Sequence, residues 1–341
     1  MTAFASTQSE LLARPRRWLV TGAAGFIGSH LVQRLLELGQ LVVGLDNFST
    51  GKRANLEDVR MSVGAAWERF RLVECDIRSR EACDRAMESM DFVLHQAALG
   101  SVPRSMVDPA TSFDVNVNGF LNVALAARGA KLRVVYASSS SVYGDSPSLP
   151  KVEDVLGKPL SPYAATKRIN EVTADALASS FQMEFVGLRY FNVFGARQDP
   201  FGAYAAVIPR WIAAMLQAEP CVIHGDGATS RDFCYVSNVV QANILAAVGT
   251  SPGATVCNVA CGKQTSLLGL HALLGSSIQE QDPGYRPAAA VHGPARAGDI
   301  THSLASIERV QRLFGYEATH TVEQGMLETV RHYFETSWRV S

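Results

Sequence analysis

A chain of 341 residues has room for one large domain or two small ones, and 47% hydrophobic residues can fill a core. Its 31 basic and 32 acidic side chains nearly cancel to a net charge of −1, so no basic field points to nucleic acid. No uninterrupted apolar run reaches 18 residues, which argues against a membrane-spanning helix. Residues 1–16 lack the paired basic and apolar regions of a secretory signal, and read as a surface arm with helix at 10–14. The six cysteines, at 75, 83, 221, 234, 257 and 261, are scattered. Cys257 and Cys261 are four apart, but metal-ligand partners are not evident nearby. Free thiols in a cytoplasmic protein, and no metal site, are the expectation.

Residues 18–21 predict a buried strand, Gly22, Gly25 and Gly28 a tight turn, and 26–38 a helix. In that helix Ile27, Leu31, Leu35 and Leu38 fall on one side. A second strand at 41–45 ends in Asp46. This is the opening βαβ unit of a dinucleotide fold, with GxxGxxG spacing. Gly22 makes the turn tight, Gly25 admits a pyrophosphate, and Gly28 lets helix and strand pack closely. Phe26 and Ile27, opening the helix, are counted in the same cradle. Amides at the helix start can receive phosphate charge. The Asp46 carboxylate can accept bonds from a ribose diol and would repel a 2′-phosphate, which favours NAD over NADP. The polar loop that follows, with Asn47, Ser49, Thr50 and Gly51, is where adenosine would lie.

A helix at 54–66 and a third strand at 70–74 come next. Asp76, with Ile77 beside it, either caps the next helix or contacts adenine. A helix at 80–89 precedes a fourth strand at 92–95, which runs into Gln96, Ala97 and Ala98. Small side chains there suit close approach to a cofactor, or simple packing. Ser101 and Arg104 occupy the next loop. A helix at 115–127 carries Asn116 near its start, and a fifth strand at 133–137 runs into four serines, 138–141. These hydroxyls are either a flexible turn or active-site donors, and their place at a strand end favours the second. Residues 145–160 read as a surface loop over the site.

A helix beginning near Pro162 puts Tyr163 and Lys167 four residues apart on one face. A phenol with a pKa near 10 is a poor base at neutral pH. A nearby ammonium and a positive nicotinamide ring both favour phenolate, as general acid–base work requires. The sixth strand is expected at 183–189. Beyond it lie helices at 203–217, 237–249, 266–276, 303–314 and 321–335, with short extended pieces at 221–224 and 256–259. Residues 283–298 read as loop.

Several ordered motifs now coincide: TGAAGFIGSH at 21–30, LDNFSTG at 45–51, YASSSSVYG at 136–144, SPYAATK at 161–167, LRYFNVFG at 188–195 and GDGATSRDFCYV at 225–236. Over residues 17–335 the chain resembles the extended short-chain dehydrogenase/reductases that act on nucleotide sugars. It is most similar to UDP-N-acetylglucosamine 4-epimerases of bacterial O-antigen and lipopolysaccharide synthesis. The resemblance implies a Rossmann-type doubly wound parallel sheet at 17–190, with 237–259 returning to it. It implies a smaller mixed α/β substrate domain from 191–236 and 260–335. It implies NAD, a UDP-sugar and a homodimer paired through helices near 111–127 and 162–180.

The resemblance further implies that Ser139, Tyr163 and Lys167 are catalytic. Substrate would meet Ser101, Arg104, Ser139, Ser140, Ser141, Asn192, Ala206, Val207, Trp211, His224 and Arg231, and a late set of Arg296, Asp299 and Ser303. Arginines suit a diphosphate through charge-assisted, bidentate bonds. In this family a late gate position is bulky in enzymes of plain glucose and galactose. Ser303 there leaves room for a 2-acetamido group, because overpacking costs about 1–3 kcal/mol. The UDP-N-acetylglucosamine/UDP-N-acetylgalactosamine pair is therefore expected. The corresponding uronic acids and UDP-glucose/UDP-galactose are the alternatives. A 4,6-dehydratase would carry an Asp-Glu pair where Ser140 and Ser141 stand. A catalytically silent nucleotide-binding protein would be expected to lose Tyr163 or Lys167.

Overall fold

Apolar strands alternate with amphipathic helices from the start of the chain, and the fold follows that rhythm. The computed structural model describes residues 2–202, 204–294 and 302–336. Helix α1 (Ala3–Ala13) leads to β1 (Arg17–Thr21), α2 (Phe26–Glu37), β2 (Leu41–Asp46), α3 (Arg53–Val63), β3 (Phe70–Glu74), α4 (Arg80–Met87) and β4 (Phe92–His95). Short helices α5 (Val102–Val107) and α6 (Pro109–Phe113) precede α7 (Gly119–Ala130), β5 (Val134–Ser139), α8 (Pro162–Phe181) and β6 (Phe185–Tyr190). Small elements follow: β7 (Val193–Phe194), α9 (Val207–Leu216), β8 (Val222–His224), β9 (Ser230–Arg231) and β10 (Cys234–Tyr235). After α10 (Val236–Val248) and β11 (Ala254–Val259) come β12 (Thr265–Ser266), α11 (Leu267–Gln281), β13 (Val291–Gly293), α12 (Glu308–Phe314) and α13 (Val322–Glu335).

Seven strands form one sheet in the order β11-β6-β5-β4-β1-β2-β3, every pair parallel. Parallel strands need crossovers, so helices cover both faces and the central strands are apolar throughout. Trp18, Val20, Leu94, Val135 and Val186 fill one face with α2 and α10, and Leu19, Val93, Val134 and Phe185 fill the other with α7 and α8. Chain order reverses between β1 and β4. In an open parallel sheet a ligand crevice forms at such a switch point, beyond the carboxyl ends of the strands. Thr21, Asp46, His95 and Ser139 all end strands on that edge.

The remaining described segments make a smaller lobe of two-stranded pairings, β10-β7, β12-β9 and β13-β8, around Trp211, Ile223, Leu274 and Met326. With α10 and β11 packed on the large sheet, chain order alone does not separate the two regions. No described helix is long and apolar enough to cross a membrane.

Several expectations change. The N-terminal arm is a docked helix: Leu11 is buried, and the buried Gln40 amide donates to its carbonyl at 2.8 Å. The stretch read as loop at 283–298 contains β13, whose partner β8 lies some 70 residues earlier, beyond the reach of a local pattern. The helix expected at 303–314 starts only at Glu308, because His302 and Ala305 are drawn into bridges with Ser230 and Lys151. The helix expected from 115 is helical from there on, and starts earlier: α6 runs through a π-helical turn at 114–118 straight into α7. The 145–160 loop is pinned to the fold, since the buried Glu153 carboxylate accepts the Asn258 amide at 2.9 Å.

Candidate active site

The glycine turn forms the floor of a cleft of about 500 Å³ at the switch point. Gly22 takes φ +70°, and a Cβ there would lie 2.8 Å from the Ala97 nitrogen. A Cβ on Gly28 would lie 1.9 Å from the Gly22 carbonyl oxygen, so this glycine lets the helix sit against the turn. Gly25 is the N-cap of α2 and supplies no side-chain acceptor, which leaves the first-turn amides to an anion. The cleft walls include Gly22, Gly25, Asp46, Asn47, Ser49, Thr50 and Gly51, and opposite them Asp76, Ile77, Gln96, Ala97 and Ala98.

Asp46 is buried and accepts the Ala24 and Phe48 amides at 2.9 and 2.8 Å, while burial raises its pKa. Each carboxylate oxygen retains acceptor capacity for a diol. Asn47 donates to Asp76 at 2.8 Å, and the Arg78 guanidinium holds that carboxyl below its usual pKa. Asp76 does not cap α4; the Ser79 hydroxyl does, accepting from the Ala82 amide. Six expected cofactor residues, Phe26, Ile27, Gly28, Asn116, Tyr163 and Lys167, are not among those lining this cleft. Asn116 uses its amide on both backbone groups of Leu99 and on the Thr166 hydroxyl, so it braces the loop after β4. Phe26 and Ile27 pack against the small lobe's apolar core.

The strand end β5 and the start of α8 bring the three expected catalytic residues together. Burial pushes the pKa of the Tyr163 phenol up, and the neighbouring Ser139 side chain opposes the rise. Lys167 Nζ donates to the Ala137 carbonyl at 2.8 Å and lies 5.9 Å from the Tyr163 ring centroid. Burial lowers the Lys167 pKa to about 8, with Glu171 opposing the fall. The protein alone therefore leaves the phenol neutral at pH 7. Phenolate formation must wait for an added positive charge, as a bound nicotinamide would provide.

Beside them lies a second cleft of about 840 Å³, lined by Ser140, Ser141, Asn192, Arg231 and Ser303. Val102, Gly144, Leu160, Ser161 and Ala164 complete its lining. The Ser141 hydroxyl is buried with no partner among the described residues. Asn192 adopts φ +34° and donates to the Asp232 carbonyl at 3.1 Å, which ties the end of the large sheet to the small lobe. Ser138 is not a donor toward either cleft: its hydroxyl is spent on the buried Glu171 carboxylate at 2.7 Å.

Other expected substrate residues stand outside that lining. Trp211 is buried in the small lobe's core edge-on to His271, because an amphipathic α9 turns its apolar face inward. Val207 joins the same core, and Ala206 is the N-cap of α9. His224 Nδ1 is 3.1 Å from the Pro294 carbonyl. Ser101 caps α5 at φ +99°, accepting the Arg104 amide, and the Arg104 guanidinium sits 5.6 Å from the Tyr204 ring centroid. Arg296 and Asp299 lie outside the described residues. Sequence reasoning missed the apolar wall of Val102 and Leu160. It also missed a buried bidentate pair, Glu171–Arg189, both bonds at 2.8 Å. An acid eight residues after Tyr163 and an arginine ending an apolar strand were the available signals.

A family model described as the NAD dependent epimerase/dehydratase family matches residues 18–260. The chain belongs to that family. NAD is accordingly its cofactor, and the glycine cradle with the Asp46 carboxylate fits it. Among similar proteins, a UDP-glucose 4-epimerase from Mycolicibacterium smegmatis is 36% identical over 321 residues, covering 93% of this chain and 98% of its own. A UDP-N-acetylglucosamine 4-epimerase from Methanobrevibacter ruminantium M1, solved with UDP-N-acetylmuramic acid, is 35% identical with TM-score 0.86. The match covers 94% of this chain and 99% of that one. MoeE5, solved with UDP-glucuronic acid and NAD, is 33% identical with TM-score 0.79, covering 94% and 99%.

Proposed function

We propose that this NAD-dependent epimerase interconverts UDP-N-acetylglucosamine and UDP-N-acetylgalactosamine by inverting C4 through a 4-keto sugar. The observation that carries the reaction is Tyr163 beside Ser139, next in the chain to the Ser140, Ser141 and Ala164 wall of the second cleft, with Lys167 one helical turn on. Tyr163, as phenolate, takes the proton of the sugar 4-hydroxyl and later returns it. Lys167 supplies the ammonium that favours phenolate and can reach a ribose hydroxyl. Ser139 donates to the oxygen that becomes a carbonyl. Bound NAD supplies hydride acceptance and return within one turnover. Asn192 and Arg231 border the sugar cleft, where they can hold a diphosphate while the ring turns about its linkage.

Substrate choice rests on Ser303, whose small side chain borders the cleft and whose amide is fixed to the Ser230 carbonyl at 3.0 Å. That room favours a 2-acetamido group. The similarity to enzymes of glucose and glucuronate keeps UDP-glucose and the uronic acids as the competing substrates. Serines at 140 and 141 leave no acid pair for dehydration. Pairing of two copies is part of the same reading: Met106, Val107, Phe113, Leu121 and Val172 expose apolar side chains on α5 to α8.

Proton NMR of the purified protein with UDP-N-acetylglucosamine, without and then with added NAD, tests the reading. Growth of UDP-N-acetylgalactosamine anomeric signals to a stable mixture is expected. Unchanged substrate in both conditions, with turnover of a uronic acid or of UDP-glucose, would refute the Ser303 argument while keeping the reaction class.

A further inference from the structure

Three successive turns of α8 meet three consecutive residues of β5. Tyr163 lies beside the Ser139 side chain, Lys167 donates to the Ala137 carbonyl, and Glu171 accepts from the Ser138 hydroxyl. Residues 163, 167 and 171 are four apart, so they share one face of the helix. Glu171 is the best anchored of the three. Arg189 Nε donates to one of its oxygens and Nη2 to the other, each at 2.8 Å, and Arg168 Nη1 adds a third bond at 3.0 Å. Arg189 is 1% exposed and Glu171 5%. Arg189 Nη1 extends the network to the Glu153 carbonyl at 2.8 Å and the Tyr143 hydroxyl at 3.1 Å, and Tyr143 donates to Asn258 at 2.6 Å.

We propose that Glu171 and Arg189 are positioning residues: their pair fixes α8 against β5 in the register that sets Tyr163 beside Ser139, and it holds the Glu171 carboxylate one helical turn beyond Lys167 as its counter-charge. This rests on the roles proposed above for Tyr163, Lys167 and Ser139. The placement explains why a buried ion pair is tolerated here. A bidentate pair is directional where an apolar contact is not, and removing one partner would leave the other buried and alone. It also supplies the only carboxylate among the described groups facing Lys167 that opposes its desolvation. Of the other titratable groups, Tyr163 on α8 and His95 on β4 neighbour Lys167, while Tyr136 on β5 and Arg189 on β6 neighbour Glu171. His95 is held neutral, with Lys167 itself among the causes. Farther along α8, Arg168 and Asp175 act on the same Tyr136–Glu171 cluster.

The test uses NAD-loaded protein carrying 13C-lysine. The lysine signal lost in Lys167→Met identifies Lys167, and its pH midpoint is followed in wild type, Glu171→Gln and Glu171→Asp. Glutamine keeps the volume and removes the charge, so the midpoint should fall by about one pH unit. Aspartate should restore most of it. The alkaline limb of kcat for the UDP-sugar should move down with the midpoint in Glu171→Gln while KM changes less than threefold. Arg189→Lys, which keeps a cation but loses the fork, should lower kcat without moving the limb. Unchanged midpoints in a folded Glu171→Gln, or equal loss of activity in Gln and Asp variants with no movement of the limb, would overturn the proposal. If the midpoint moves but wild type turns over no UDP-sugar, the proposed reaction fails and the positioning role stands.

Discussion

Adding one methyl group at Gly28 should be enough to disable cofactor binding. A Cβ there meets the Gly22 carbonyl oxygen at 1.9 Å and its carbon at 2.7 Å, and both are backbone atoms. The turn has little freedom to retreat, because the Gly22 amide donates to Leu45 at 2.7 Å and its carbonyl accepts from Gly25 at 3.0 Å. Separation must grow by about 1 Å before the contact is tolerable. Overpacking of this kind costs about 1–3 kcal/mol. At roughly 2–4 °C per kcal/mol for chains of 150–250 residues, and less for longer ones, Tm should fall by about 2–8 °C. The larger effect should be on NAD, since the displaced carbonyl and amides border the cleft. A loss of about 1.4–3 kcal/mol is a 10- to 150-fold rise in Kd. Titration calorimetry with NAD and thermal denaturation measure both effects. Gly129→Ala is the matched control: it lies in α7, meets nothing within 4 Å, and should raise stability by about 0.5–1 kcal/mol. Gly28→Ala binding NAD within twofold of wild type, with unchanged Tm, would refute the close-packing argument.

Tyr163→Phe removes the hydroxyl beside Ser139 and should cut kcat by about 10²–10⁴ with KM nearly unchanged, read by anomeric NMR. Ser303→Tyr should lower kcat/KM for the acetamido sugars by about 10- to 100-fold, while UDP-glucose is affected less; equal losses on both would remove Ser303 as the gate. His95 is buried 2.7 Å from the Thr21 hydroxyl, and burial lowers its pKa to about 3, with Lys167 adding to the fall. Between pH 6.5 and 3 the unfolded chain binds a proton that the folded chain refuses. Stability is thus lost as pH falls, at about 1.4 kcal/mol per pH unit from this group. In urea denaturation at pH 5 and 6, His95→Asn should show a slope smaller by about that amount, and an unchanged slope would contradict a neutral buried imidazole.

The glycine turn, Asp46 and the Tyr163–Lys167 pair were readable because each depends on short spacing: a βαβ unit, a strand end, one turn of helix. The same locality explains the five interior strands, whose apolar runs declare themselves without a partner. What stayed hidden depends on distant pairing. β13 exists because β8 holds it, and Glu153 looks like a surface acid until Asn258 is seen donating to it. Trp211 was expected beside substrate on resemblance, yet its own helix turns it into the small lobe's core. Asn116 was assigned to the cofactor and braces Leu99 one layer behind it. Sequence fixes which residues reach a strand's carboxyl end, but depth behind the wall is set by packing from other elements.

Asp232 follows β9 of the small lobe, with its carboxylate accepting amides from Cys261, Gly262 and Ala305, while its carbonyl holds Asn192. Three chain segments that run between the two regions therefore converge on one residue. Cutting the polypeptide in any one of them would leave the other two spliced to the same knot, so neither half has a clean edge at which to come away. The protein should melt in a single step and resist being trimmed to an isolated nucleotide-binding fragment, and limited proteolysis should yield nicked but undissociated material. A modular appearance in the sheet diagram thus conceals a molecule that behaves mechanically as one piece.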